Sequence, residues 1–136
     1  MRRPGMGMNG KAADGGQATV EFAIVMVLFL LLLSGLVDLG RLAGTYYILA
    51  NASREGARVG VLGKPDTDIE AAIQRVAATL DPARLMVQIM PGVVERFRGV
   101  PLEVSVSYAL DLLMPFTAAI LPNPFPLRVE TVMRME

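Results

Sequence analysis

An uninterrupted apolar run constrains this chain more than any other feature of its sequence. Between Phe22 and Val37 the sequence FAIVMVLFLLLLSGLV contains no charged residue. As a helix this run would measure about 24 Å, slightly less than a hydrocarbon core of about 30 Å. Because 53% of the whole chain is also apolar, the run predicts a single membrane-spanning helix.

A carboxylate stands at the N-terminal border of this run. Glu21 directly precedes Phe22, and an acidic side chain at bilayer depth costs roughly 2.5 to 3.5 kcal/mol. We therefore expect Glu21 to be paired with a positive group. The alternative interpretation is a helix that starts near Phe22 and leaves Glu21 as an ordinary interfacial residue.

The basic residues predict an orientation for this span. Arg2, Arg3 and Lys11 precede the run, with Asp14 as the opposing charge. Since short basic segments stay in the cytoplasm, the C-terminal part of the chain is expected outside. A secretory signal peptide is the competing interpretation, but the arm before the run is long and no Ala-x-Ala site follows closely.

Several function classes are disfavoured by what the sequence lacks. It has no Cys and no His, which removes thiol and imidazole chemistry and the usual zinc ligand sets. It has no nucleophile elbow, no Ser-x-x-Lys motif and no basic patch. We therefore expect no enzyme, cofactor, metal site, nucleic acid or small-molecule substrate. A membrane-tethered enzyme that uses Asp, Glu, Ser, Lys or Tyr is the least favoured hypothesis.

The spacing of small and apolar residues predicts that the long helix continues beyond the membrane. Residues 1–16 are rich in Gly and Met and are expected to lack regular structure. The following helix should run from about Gln17 to about Leu62, with its first half in the membrane and an amphipathic second half. Its predicted packing side comprises Leu42, Tyr46, Leu49, Ser53, Gly56 and Gly60, opposite Tyr47, Asn51, Arg54 and Arg58.

Two glycines in this predicted helix suggest close packing. Gly56 and Gly60 each cost roughly 1 kcal/mol relative to Ala in a helix, and their bare backbone allows another element to approach. Packing within the domain is favoured over contact between subunits. Glu55 and Arg58 stand three residues apart nearby, and a solvated ion pair is favoured over a partner-binding site there.

The rest of the chain predicts a second helix and a small sheet. Thr67, Asp68, Ile69 and Glu70 resemble a capping box at the start of a helix that Asp81-Pro82 should close. Alternating apolar residues predict strands at 102–108 and 127–133, and 85–90 is a weaker candidate. Residues 110–126 suit either a packed loop or a short helix. The expected fold is α+β, with an antiparallel sheet packed on both helices.

A short motif at the start of the apolar run carries a family resemblance. GQATVEF, in which a glycine is followed at the fifth residue by glutamate, resembles the processing site of type IV prepilins and pseudopilins. The resemblance implies that a membrane peptidase cuts between Gly16 and Gln17. It further implies that the new Gln17 amine and the Glu21 carboxylate neutralise each other, usually between neighbouring subunits, where Glu21 and Phe22 take part in assembly.

Over nearly all of residues 15–136 the chain is similar to the TadE-like proteins of tight adherence (Flp) pilus systems. The similarity rests on the processing motif, ILANASREGARVGVLG, LEVSVSY and the terminal VETVMRME. It implies a pilin-like minor pseudopilin needed for pilus assembly, adherence and biofilm formation, in machinery related to type II and type IV secretion. The related TadF identity stays open. Gln17 as first mature residue is a departure that the cut tolerates.

The resemblance implies three regions, a set of partners and a location. Residues 1–16 would be a cleaved cytoplasmic leader, 17–41 a transmembrane helix and 42–136 an extracytoplasmic domain. The partners would be the inner membrane, the prepilin peptidase, other pilin and pseudopilin subunits and the pilus assembly platform. The protein would reside in the bacterial inner membrane, and at the pilus or cell surface after processing. The alternative is an unprocessed single-pass protein whose outer domain binds an envelope partner.

Overall fold

The fold combines three helices with one antiparallel sheet. The computed structural model describes residues 11–135, with side chains from residue 16 onward. The elements are α1 (Lys11–Gly60), α2 (Asp66–Val76), β1 (Leu85–Met90), β2 (Pro101–Leu110), α3 (Pro115–Ile120) and β3 (Phe125–Arg134). The predicted α+β class is confirmed.

Helix α1 is longer at its N-terminus than the sequence suggested. It has 50 residues, which corresponds to a length on the order of 75 Å. The expectation of irregular structure is wrong for residues 11–16, and residues 1–10 lie outside the described part of the chain. Lys11 and the two alanines after it are good helix formers, so the helix extends across the weaker glycines. After Gly60 a turn follows, with Gly63 at a φ of +74°.

The second half of α1 carries one buried stripe. Its buried polar members are Asp38, Thr45 and Ser53, and Leu49 is fully buried. The prediction that Tyr46 lies on this stripe is wrong, because Tyr46 is 52% exposed. At 3.6 residues per turn, Thr45 lies within about 40° of Leu49 around the helix axis, whereas Tyr46 lies about 60° away on the other side.

Helix α2 begins earlier and ends earlier than predicted. The capping-box interpretation is wrong, because α2 starts at Asp66 and its N-cap is Pro65, which makes no side-chain capping bond. Pro65 has an extended backbone, with φ −67° and ψ 159°, from which the helix follows directly. Since α2 ends at Val76, Asp81 does not close it. Asp81 instead accepts a hydrogen bond of 3.0 Å from the Ala83 N–H and caps the next single turn.

The three strands form an antiparallel sheet in the order β1-β2-β3. The strand predictions are confirmed, including the weaker third candidate. The central strand β2 buries Leu102, Val104 and Val106 against α1 and α2. The Ser53 hydroxyl of α1 donates a 2.8 Å hydrogen bond to the Val104 carbonyl and lies 2.8 Å from Thr131 Oγ1. This hydroxyl therefore joins the long helix to both β2 and β3.

The segment between β2 and β3 folds as a short helix flanked by loops. Of the two open interpretations for residues 110–126, the structure has α3, which begins with Pro115 at a position that proline favours. α3 leaves the sheet and approaches the apolar half of α1. Residues of both helices line a cleft of about 280 Å³. They are Val27, Leu30, Leu31 and Ser34 of α1, with Met114, Pro115 and Phe116 on the other side.

Candidate membrane and assembly site

The N-terminal half of α1 protrudes from the domain. Every residue from 16 to 30 is exposed, and partial burial begins at Leu31. Within the described residues, one helix is long and apolar enough to cross a membrane, with a mean hydropathy of 2.7 over a window that is entirely unburied. Exposed apolar side chains on all sides of a helix are costly in water and favourable in lipid. The protein is therefore a candidate single-span membrane protein.

The residues predicted for processing and assembly all lie on this protruding segment. The Gly16–Gln17 peptide is inside α1, and a Cβ added at Gly16 would meet no atom within 4 Å. Gln17 and Glu21 are four residues apart and share one face of the helix. Glu21 forms no ion pair with any residue between 16 and 135, and Phe22 is 62% exposed. Their roles in cleavage and neutralisation stay predictions.

The two predicted packing glycines lie inside the folded domain. A Cβ added at Gly56 would lie 2.7 Å from Ile73 Cδ1 of α2, so a larger residue would require α2 to move. A Cβ at Gly60 would collide with Leu102 Cδ2 of β2 and lie 3.0 Å from Ile69 Cδ1. Gly56 is about 60 Å along α1 from Gly16, so the predicted site residues form two separate groups.

Sequence reasoning missed a polar cluster where α1 leaves the domain. Asp38 is 1% exposed, and its carboxylate accepts hydrogen bonds of 3.1 Å from the backbone N–H groups of Leu113 and Met114. It also accepts a hydrogen bond from the Thr117 hydroxyl. In the sequence Asp38 directly follows the apolar run, and no local pattern there indicates its partners. Its partners are on α3 and the preceding loop, more than 70 residues further along the chain.

Further contacts complete this cluster. Arg41 Nη1 lies 3.6 Å from Asp38 Oδ1 and donates a 2.9 Å hydrogen bond to the Asp111 carbonyl. The Leu112 N–H donates to Asn123 Oδ1 at 3.1 Å. The start of α3 is thus held by polar groups of the protein itself. The one sequence signal for this segment was the absence of charged residues between Asp111 and Arg128.

A charge pair occupies the outer face of α1. Arg58 donates two hydrogen bonds to the Glu55 carboxylate, at 2.9 Å from Nε and 2.6 Å from Nη2. These bonds hold the pKa of Glu55 below its ordinary value of 4.5, against a smaller opposing effect of burial. They also raise the pKa of Arg58. The Arg58 side chain is 64% exposed, so the pair is open to solvent.

The residues that the structure describes contain no cluster of acidic side chains that could bind a metal ion. Between residues 16 and 135, no group of three or more Asp or Glu side chains comes together in a way that could hold a metal ion. The donor sets that bind zinc or a transition metal in proteins are dominated by His and Cys, which the sequence lacks.

Within residues 16–135, the bare apolar helix and the α+β domain that follows it are typical of a membrane protein anchored near its N-terminus. Residues 16–58 match the model of the TadE-like protein family. The match confirms the resemblance to TadE-like proteins and covers the apolar run and most of the buried stripe of α1. It lies entirely within α1 and suggests a relation to the Tad pilus. No curated protein and no solved structure matches the chain.

Proposed function

We propose that the protein is a minor pseudopilin of a tight adherence pilus, cut between Gly16 and Gln17 and then assembled through α1. The observation that carries the proposal is the position of Gly16 and Glu21 on a bare, exposed helix that leads into an apolar span. The TadE-like match begins at the same glycine. The protein acts in pilus biogenesis, adherence and biofilm formation. Its partners are other pilin subunits and the pilus assembly platform.

Processing changes the electrostatics of the helix in two ways. Removal of residues 1–16 removes Arg2, Arg3 and Lys11, the positive charges that hold the N-terminus in the cytoplasm. It also creates an amine at Gln17. A neighbouring subunit's Glu21 carboxylate is costly to bury alone, and this amine neutralises it when the helices pack. Cleavage thus allows the helix to leave the lipid and enter a bundle of helices.

The geometry of α1 suits this transfer. Because every residue from 16 to 30 is exposed, most of this surface is free to contact other helices, and α3 approaches it only near Val27 and Leu30. The second half of α1 is held by the sheet and α2, so a pull on the span is transmitted to the whole domain. Residues 42–136 then form the extracytoplasmic part, with the domain outside the inner membrane.

The helical conformation of the cleavage site has a consequence for the peptidase. A peptide bond within a helix is cut after local opening. Gly15 and Gly16 each weaken the helix by about 1 kcal/mol relative to Ala, so opening is easiest at the predicted site. The two adjacent glycines of α1 therefore assist processing in addition to fitting the peptidase.

The mature N-terminus tests the proposal. Protein extracted from membranes of cells that contain the prepilin peptidase should begin at Gln17 by mass spectrometry, and Gly16→Ala should retain residues 1–16. Gly44→Ala is the matched control, because Gly44 is also an α1 glycine with nothing within 4 Å of an added Cβ. A functional wild-type protein that still begins at Met1 would support the unprocessed single-pass binding protein instead.

A further inference from the structure

We propose that α3 and its flanking residues, 112–121, form a second membrane-contact element. They lie beside α1 within the acyl chains below the headgroups, on the side of the membrane that carries the domain. The ligand of this surface is the acyl-chain region of lipid. The inference rests on insertion of α1, which is part of the proposed function, and it does not depend on cleavage at Gly16.

The first observation is an exposed apolar surface without charge. Leu113, Phe116 and Ile120 are 60%, 54% and 84% exposed, respectively. No charged residue occurs between Asp111 and Arg128. Large apolar side chains that are exposed together are unfavourable in water and mark a surface that contacts a partner or a membrane.

The second observation is the depth of α3 along α1, which selects lipid as the partner. α3 and its preceding residue share a cleft with Val27, Leu30 and Leu31, all of which belong to the apolar run. Leu30 is about 12 Å along the axis from Asp38, toward the centre of the span. The exposed surface of α3 is therefore continuous with the lipid-facing surface of α1. If α1 spans the bilayer, lipid that surrounds Leu30 also reaches Phe116.

The third observation concerns the backbone donors at the start of this element. Lipid offers no hydrogen-bond acceptors, so backbone donors there need partners within the protein. The N–H groups of Leu113 and Met114 donate to Asp38, and that of Leu112 donates to Asn123. Arg41, which is 35% exposed, lies beside Asp38, and its long side chain can reach the headgroups from there. These three backbone donors thus have acceptors within the protein, as a position in lipid requires.

Single-cysteine labelling tests the inference directly, because the natural chain has no cysteine. The full chain with Ile120→Cys would carry an environment-sensitive fluorophore and be reconstituted into phosphatidylcholine vesicles that contain lipids spin-labelled on the acyl chain below the headgroup. Leu32→Cys, 75% exposed on the span, reports insertion. Val94→Cys, 88% exposed, is the water-facing control. Val94 lies in the loop between β1 and β2, whereas α3 follows the opposite end of β2. We expect Ile120 to be quenched several-fold more than Val94, with blue-shifted emission.

Three other outcomes would overturn the inference. If Leu32 is quenched and Ile120 behaves like Val94, α1 spans the bilayer but α3 stays in water. If Leu32 is not quenched either, the span itself is wrong, and the failure then lies with membrane insertion. If Ile120 is shielded from both water and lipid until the protein is diluted with lipid, a second copy of the chain covers α3.

Discussion

The carboxylate of Asp38 on α1 accepts a hydrogen bond from the hydroxyl of Thr117 on α3, 79 residues further along the chain. The same carboxylate accepts hydrogen bonds from the backbone N–H groups of Leu113 and Met114. One side chain at the exit of the long helix thus holds the start of α3. This contact keeps α3 beside the apolar half of α1.

Replacement of Asp38 should release α3 from α1. In Asp38→Ala the N–H groups of Leu113 and Met114 lose their acceptor, and a buried backbone donor without a partner costs about 1–3 kcal/mol. We expect faster amide hydrogen exchange at both residues in detergent or lipid discs, and a lower thermal midpoint. Asp38→Asn keeps one acceptor oxygen and should be intermediate.

A matched control for this prediction is Glu70→Ala, which removes an exposed acidic residue from α2. It should leave exchange at Leu113 and Met114 unchanged. Unchanged exchange in Asp38→Ala as well would mean that the carboxylate does not hold α3.

Gly56→Leu should separate α2 from α1. An added Cβ already lies 2.7 Å from Ile73 Cδ1, and overpacking of a core typically costs about 1–3 kcal/mol. The thermal midpoint of the purified protein should therefore fall by several degrees. Gly44→Leu is the control, since its Cβ enters open space and the substitution removes a helix-weakening glycine. Equal midpoints for the two variants would contradict the packing argument.

Glu21→Ala should separate processing from assembly. The peptidase site at Gly16 is retained, so the extracted protein should still begin at Gln17. Its new amine would have no carboxylate partner among packed helices, which is unfavourable. We expect a strong reduction in pili counted by electron microscopy and in surface adherence. Normal pili in this variant would argue against neutralisation by Glu21, whatever its N-terminus.

The Glu55–Arg58 pair should make a small, pH-dependent contribution to stability. Since the folded-state pKa of Glu55 lies below its ordinary value of 4.5, the contribution is present above that value and is lost as the pH falls through the folded-state pKa. The effect is small because Arg58 is largely exposed and the pair is screened by salt. Unfolding of wild type and Glu55→Gln should therefore differ near pH 7 and converge at the acidic end. Parallel curves at all pH values would show that the pair contributes nothing.

Local patterns predicted the elements of this fold better than their ends. The alternation in residues 102–108 and 127–133 located two strands, because a half-buried strand alternates by geometry. The start of α1 and the end of α2 differ from the predictions by several residues, whereas the end of α1 and the start of α2 lie close to them. The start of α1 depends on how far helical hydrogen bonding extends across glycine. The start of α2 depends on the extended backbone of Pro65, which the motif at Thr67 does not predict.

The candidate site was also predictable only where its signal was local. The motif GQATVEF, on one helix, was sufficient to predict Gly16, Gln17 and Glu21. Asp38 was overlooked as a partner because its three donors come from a segment that is distant in sequence. The prediction for Tyr46 was wrong because spacings of three and four residues from Leu49 both fit a helical stripe, and only packing decides that Thr45 is the buried one.

The sequence by itself determined the apolar span, the acidic residue at its border, the α+β class and the resemblance to TadE-like proteins. These features depend on residues close together in the chain, where hydropathy and periodicity are sufficient. Only the tertiary structure decided that Asp38 holds α3 beside the span and that Gly56 and Gly60 contact α2 and β2. Such contacts join residues far apart in the chain, and their formation depends on how the elements pack in three dimensions.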